Sequence, residues 1–589
     1  MEASFTHLPD EILHSILCYS PPSAAVALER TARRFRSIAN EPLLWRYYCL
    51  IHFSFWEHRH DFKNKLADPV SSVDWKRLYA NRHLTHSAVS TALESILSSQ
   101  RGRLEKFRVI ISFGYDAKDT LIRNALTGPE REDHLARSLH RHIAIHEWMR
   151  LKHGESVALE RALGAFDLFI SESHVGDLAD ITDKLDRIIA DLTHEEPDIR
   201  ALTPRSRAVA IASYLRRKNL TGIEEDRDYH SLEHNFLGIA LADPGHNSLP
   251  LISAAIYCYV AQGLGLNARP CGFPFHVHVI IIPPHGLDMD GHILADGTQG
   301  APMYMDPFRS TEETPVSNLR SQLNFLGASN IEQSVFLGES QTSEIVLRCG
   351  KNILRSIQNM SLQPALAIPS IDIASAKYAG LWSSMIFAGP SRPIELRQHL
   401  PWLMESFATD FPSDLYLIED CLVPLFQGLP EYEHLRESLH VMKTVDEIPR
   451  QIRRRTSAHQ NVKYRVGQVF RHRRYDYTAI ITGWDAECGA GEQWMRQMGI
   501  DNLQAGRHQS FYHVLYDHIL DLSAGNGTNG TSVEDRSIRY VAEENIEIIK
   551  PDSSELPPVF SAIAGKHFKR WDEHSRTYVS NIRDEYPDD

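Results

Sequence analysis

Several local patterns in this chain place reactive side chains at spacings that matter to chemistry. His230-Ser-Leu-Glu233-His234 fits HxxEH, the inverted zinc-protease spacing, which needs a helix to bring two imidazoles to one face and a further acidic ligand downstream. No second acid is distinctively placed, and a five-residue pattern alone is weak. His142 and His146, four residues apart in HLARSLHRHIAIHEWM, could clamp a metal, but no third ligand follows at suitable spacing, and these histidines are expected to face solvent. Seven cysteines (Cys18, Cys49, Cys258, Cys271, Cys349, Cys421, Cys488) lie far apart with no CxxC pair, which argues against a disulfide framework or zinc ribbon and for a reducing compartment. Cys488 with His472, His508 and His513 also lacks the paired spacing of a zinc site, so neither metal nor cofactor is expected.

A different chemistry is suggested by His472, Arg473, Arg474 and Tyr475, a basic and aromatic cluster able to meet phosphate and stack on bases. Charge opposes that use. Residues 463–589 carry 15 Lys and Arg against 20 Asp and Glu, a net of −5, and the whole chain carries 62 against 76, a net of −14. DNA affinity needs a local positive excess, so a protein ligand is favoured over DNA for this region. Trp484 and Tyr512 are further candidates for a contact groove, because aromatic side chains give large contact area at low entropy cost.

The elements that must position these groups are spread over 589 residues, enough for several separately cored units. Hydrophobic and charged shares of 42% and 23% fit a folded globular chain. MEASFTHLPDEIL lacks a basic region followed by an apolar core, and no stretch approaches the about 20 apolar residues needed to span a bilayer. A cytoplasmic or nuclear protein without membrane contact is expected, in which the sequons at Asn526 and Asn529 mark only a polar loop.

At the N-terminus, LPDEILHSIL places Pro9 in a first helical turn, Asp10 and Glu11 at the positive end of the dipole, and Leu8, Ile12, Leu13, Ile16 and Leu17 in one stripe. Pro21-Pro22 interrupts this helix, Leu28, Ala32, Phe35 and Ile38 recur at helical spacing, and Glu41-Pro42 stops the second helix before Leu44-Trp45. LPDEIL, the proline turn and RTARRFRSIANEPLLW together resemble an F-box. That resemblance implies a three-helix unit over residues 1–50, with Leu8, Pro9, Ile12, Leu13, Ile16 and Leu17 packed on a Skp-type adaptor that docks a cullin. Residues 51–149 read as a helical connector.

VALERALGAFDLFI, DYHSLEHNFLGIAL, LPLISAAIYCYVAQGLGLNARPCGFPFHVHVIII and MYMDPF run helix, helix, helix, strand, strand. The series resembles the transglutaminase-like domain of the SirB family over residues 150–325, on the segment after Pro250, on Gly265, Pro274-x-His276 and Asp306-Pro307-Phe308. Active members use a nucleophile at a helix N-terminus, a histidine base and an orienting aspartate. Carried over, His276 is the base and Asp306 the orienter, but the nucleophile position, two residues after Pro250, is Ile252, a hydrocarbon. Ser253 is about 100° further round the helix, and Cys258 and Cys271 lie away from its N-terminus. The resemblance therefore implies vestigial triad positions and no catalysis.

Residues 344–456 are helical in periodicity, with a tetratricopeptide-like packing as one option, and RQIRRRTSAHQ reads as a solvated helix end and linker. From Lys463 the pattern turns to β-branched and aromatic alternation. RVGQVFRHRRYDYTAIITGWDAEC, QSFYHVLY, RYVAEENI and YPDD resemble the YccV-type, hemimethylated-DNA-binding-like domain over residues 463–589, which implies a small β-barrel. The polar insertion LDLSAGNGTNGTSVEDRS is expected to be flexible. The expectation is a multidomain α+β chain acting as substrate receptor of a Skp-cullin-F-box ubiquitin ligase, its protein substrate unspecified. The alternatives are a DNA-binding factor using the barrel, and an active hydrolase or acyltransferase using Ser253, His276 and Asp306.

Overall fold

The computed structural model describes residues 8–589 apart from 100, 128–132, 171–176, 225–227, 295–297, 363–370, 389–392, 450, 457–460, 517–537, 557–559, 561–567, 581 and 583–584. The polar insertion with Asn526 and Asn529, and part of RQIRRRTSAHQ, lie outside the described residues. The chain forms two compact units, one of residues Met1–Leu139 with Glu437–Asp589, the other of His140–Arg436.

The first unit opens with α1 (Asp10–Cys18), α2 (Pro22–Leu28), α3 (Arg33–Ala39) and α4 (Pro42–His52), one helix more than the three expected. The extra break comes at Ala32, whose extended backbone (φ −152°, ψ 155°) ends the turn after α2 and starts α3 afresh. Pro42 stands in the first turn of α4, where its missing N–H costs nothing, and it keeps Glu41 non-helical. Leu13, Leu17, Phe35, Ile38, Leu44, Trp45 and Tyr48 form a core, and the indole of Trp45 donates to the Ala39 carbonyl at 2.7 Å.

The chain continues through α5 (Phe62–Ala67), α6 (Trp75–Ser98), α7 (Arg103–Ile111), α8 (Tyr115–Thr127) and α9 (Asp133–Lys152). Trp75, Leu78 and Tyr79 of α6 complete the core of α1–α4, so the connector is built into the N-terminal helices. Buried Arg82 meets Asp116 at 3.2 Å and Asp119 at 2.7 Å, which ties α6 to α8 with the charge compensation that burial demands.

The second unit holds α10 (Leu159–Ile170), α11 (Leu178–Glu195), α12 (Pro204–Arg217), α13 (Leu237–Ala240), α14 (Pro250–Gly263), β1 (Asn267–Pro270), β2 (Val279–Ile282), β3 (Met303–Met305), α15 (Val316–Phe325), α16 (Asn330–Phe336), α17 (Thr342–Leu362), α18 (Ile373–Ala388), α19 (Pro393–Asp410) and α20 (Leu415–Leu417). The strands make an antiparallel sheet in the order β1-β2-β3, and α14, apolar on nearly every side, packs against β1, α11 and α12. α18 is equally buried, between α10, α17 and α19, so the helical region shares this unit's core instead of forming a separate tetratricopeptide-like array. A Cβ at Gly350 would sit 2.0 Å from Oγ of Ser383, and this missing side chain lets α17 and α18 approach closely.

Within α21 (Glu431–Glu447) the chain returns to the first unit, which continues with β4 (Val469–His472), β5 (Thr478–Asp485), α22 (Glu492–Met498), β6 (Phe511–Tyr516), β7 (Ile538–Ala542), β8 (Ile546–Ile548) and the hairpin β9 (Phe568–Asp572) with β10 (Thr577–Ser580). The first five strands form an antiparallel sheet ordered β7-β6-β5-β4-β8, with a register shift between Ile481 and Gly483. Such a shift adds twist and lets the sheet curl around its core. Gly467 joins it to the hairpin: its φ is +90°, the Tyr578 N–H donates to its carbonyl at 2.9 Å, and a Cβ there would lie 2.0 Å from the Tyr578 oxygen. The indole of Trp484 donates to Asp589 at 3.0 Å, so the YPDD segment closes one end of this core.

Candidate functional site

α1 presents two apolar stripes to two environments. Leu13 and Leu17 are 0% and 3% exposed inside the unit's own core, whereas Ile12, Ile16 and Tyr19 are 47%, 37% and 92% exposed. Pro9 joins the outer stripe, Leu8 is half-buried, and on α4 Leu43, Leu50 and Ile51 are also exposed. Assigning Leu13 and Leu17 to an adaptor surface is therefore corrected, because both are already spent on internal packing. The outer spacing of 9, 12, 16 and 19 is one helical face. Arg34 fixes the start of that face by pairing with Asp10 at 2.6 Å and donating to the Leu8 carbonyl.

In the second unit, β2 and β3 bring His276 and Asp306 together. Nε2 of His276 lies 2.9 Å from Oδ2 of Asp306, although off the line along which its N–H would donate well. Burial opposes ionisation of Asp306, but His276, the nearby His278 and the Arg309 N–H outweigh it and hold the carboxyl below its usual range. The backbone arrives through a tight turn in which the His276 N–H donates to the Pro274 carbonyl at 2.8 Å, and Phe275 between them has a φ of +64°. Left-handed backbone is an outlier for a bulky residue. Phe275 is also 88% exposed, so its side chain gains no burial there. Arg216 secures the opposite wall by donating to the Phe308 carbonyl at 2.7 Å.

Ile252 is buried in the first turn of α14. Ser253 is buried too, its hydroxyl 2.7 Å from that of Ser248 and accepting from the Gly222 N–H at 3.1 Å, so it ties the start of α14 to a loop. Burial pushes the Cys271 thiol up to about 11 and raises that of Cys258 further, which leaves both as poor thiolates at neutral pH.

His278 was not singled out in the sequence, yet it joins His276 and Asp306 in a cluster whose ligand atoms all lie within 4.8 Å of one another. Its signal was the His-x-His spacing just before β2. Burial lowers His278 to about 4, so it is neutral at physiological pH. The HxxEH residues do not gather: His230 is exposed in a turn, His234 is buried, and only a four-residue 3-10 helix, Leu232–Asn235, holds the rest. Of the two histidines expected in solvent, His146 is exposed and His142 is half-buried; His140, in the same segment, is fully buried.

The C-terminal cluster also divides. Arg473, Arg474 and Tyr475 are exposed on the turn between β4 and β5, with the Arg474 guanidinium 5.4 Å from the Tyr475 ring. His472, Trp484 and Tyr512 are buried in the sheet's core, which corrects their assignment as ligand contacts: each is committed to packing or internal hydrogen bonds. Beside the turn, Arg471 is neutralised by Asp476 at 2.5 Å.

Comparison with known proteins adds three family matches: F-box-like over residues 5–51, transglutaminase-like superfamily over residues 179–350, and hemimethylated DNA-binding protein YccV like over residues 462–575. The chain thus carries an N-terminal F-box, a central transglutaminase-like domain and a C-terminal YccV-like domain. It is similar to F-box only protein 21 of Mus musculus, with 24% identity over 351 residues, 54% of this chain and 47% of that one. The Homo sapiens protein of the same name is 23% identical over 351 residues, with the same coverage. The chain therefore spans about half the length of the curated relatives it matches. No solved structure matches.

Proposed function

We propose that this chain is a substrate-recognition subunit of a Skp-cullin-F-box ubiquitin ligase. The observation that carries the reading is the exposed face of Ile12, Ile16 and Tyr19 on an F-box helix whose other face is locked into the core. An apolar helix face left in water costs free energy that a partner groove recovers. The remaining domains hold a protein target, and ubiquitin transfer follows from proximity.

The chain itself supplies no acyl-transfer chemistry in this reading. Ile252 has no nucleophilic atom, Ser253 is enclosed, and the buried thiols resist ionisation. The YccV-like domain recognises protein, since its net charge of −5 opposes phosphate binding. No described helix is long and apolar enough to cross a membrane. Co-expression with a Skp-type adaptor and size-exclusion chromatography tests the proposal: the two chains elute together if it holds and apart if it fails.

A further inference from the structure

We propose that His276, His278 and Asp306 form a binding site for one divalent transition-metal ion of the zinc type. Two imidazoles and a carboxylate are the donor set such ions favour, leaving a coordination position for water or an exogenous ligand. The three ligand atoms lie within 4.8 Å of one another. Ligands about 2.0–2.1 Å from a tetrahedral ion stand roughly 3.3–3.4 Å apart, so the His276–Asp306 pair at 2.9 Å opens a little and the wider pairs close in.

Unmet hydrogen bonding points the same way. Nδ1 of His278 is buried without a hydrogen-bond partner and its side chain is almost wholly enclosed, while Nε2 of His276 has only the off-line Asp306 carboxylate at 2.9 Å. A buried nitrogen that finds no donor or acceptor is costly, and a metal ion would satisfy the one on His278 while taking the poorly aligned His276 nitrogen and the carboxylate as further ligands. The Phe273 and Phe308 rings pack on His278 and His276 at 5.0 and 5.9 Å, giving the apolar collar that strengthens coordination by excluding water.

The site is independent of adaptor docking, so either can fail alone. The test uses the full chain stripped with a chelator and titrated with Co2+, whose d–d absorption reports nitrogen and oxygen ligation. The expected result is one Co2+ per chain with an intense visible band, displaced by Zn2+ but not by Mg2+. His278→Ala and Asp306→Asn should each weaken binding by more than the about tenfold that losing an outer-shell partner costs. His292→Ala, at an exposed histidine paired with Asp288, should change nothing. If the His278 variant unfolds by circular dichroism, His276→Asn, at a less enclosed position, decides. Absence of a band in the wild type, or a band of undiminished affinity in folded variants, would overturn the proposal.

Discussion

Ile12 and Leu13 are neighbours on α1, yet Leu13 is completely buried in the core that α1 shares with α2, α3 and α4, while Ile12 stands 47% exposed. The two side chains therefore separate folding from docking. Leu13→Ala should destabilise the chain by about 2–5 kcal/mol, the range for a buried leucine, whereas Ile12→Asp should stay within about 0.5 kcal/mol. Denaturant unfolding followed by tryptophan fluorescence distinguishes the two, and equal losses would mean that Ile12 is internal.

A buried ion pair makes a second prediction. Arg141 and Asp414 meet through two bonds of 2.6 and 3.0 Å, both almost fully enclosed, with the guanidinium 4.6 Å from the Phe411 ring. Asp414→Ala strands the cation and should cost about 3–5 kcal/mol. Arg141→Met with Asp414→Leu should recover most of that in a thermal melt, because neither charge then remains to be desolvated.

Stability should also depend on pH through Asp167. Burial pushes its carboxyl from 3.8 up to about 7, against the lowering effect of the Gly238 and Ile239 N–H groups and Lys184. Between those values the unfolded chain has released this proton while the folded chain retains it, so its contribution to stability falls as pH rises through the window and levels off above about 7. Asp167→Asn keeps an acceptor for the Ile239 N–H, now 3.2 Å from Oδ1, and removes the titration. The variant should be more stable than the parent at pH 8, with the gap narrowing by about 1.4 kcal/mol per pH unit from 7 towards 4. A gap independent of pH would show that Asp167 is ionised in the folded state.

Phe275 offers a test of local strain. Left-handed backbone costs a side-chain-bearing residue about 1–2 kcal/mol, and glycine escapes that cost while losing somewhat more entropy on folding. Phe275→Gly should hold or raise the melting temperature, and Phe275→Ala, which keeps a Cβ, should not raise it. A large drop for the glycine variant would mean that the exposed ring has a packing role.

Much of this architecture could be read from residue patterns, and the failures share a physical cause. Proline placement and apolar spacing located α1 and the helical stretch that includes α3, with Pro42 read only as the end of that stretch and not as the start of α4, and β-branched alternation located β4 to β6. Periodicity could not say which of two adjacent stripes on α1 faces inward, because Leu13-Leu17 and Ile12-Ile16 are equally apolar and only the partners from α2, α3 and α4 decide. His472, Trp484 and Tyr512 misled for the same reason: aromatic side chains suit both grooves and cores, and a small curled sheet needs them inside. The Ser253 hydroxyl is positioned by Ser248 and Gly222, a contact that depends on a loop folding back over 31 residues. His278 was visible as a neighbour of His276 but gains meaning only when β3 delivers Asp306 beside both.

The most direct measurement is a binding titration of a purified Skp-type adaptor against the full chain and its Ile12→Asp plus Ile16→Asp variant, each checked for native circular dichroism. The docking account predicts a saturable one-to-one complex for the wild type and affinity weakened by about 30-fold or more for the variant, since losing a central apolar anchor costs about 2 kcal/mol or more. Equal affinity for both proteins, or no complex with either, would contradict it.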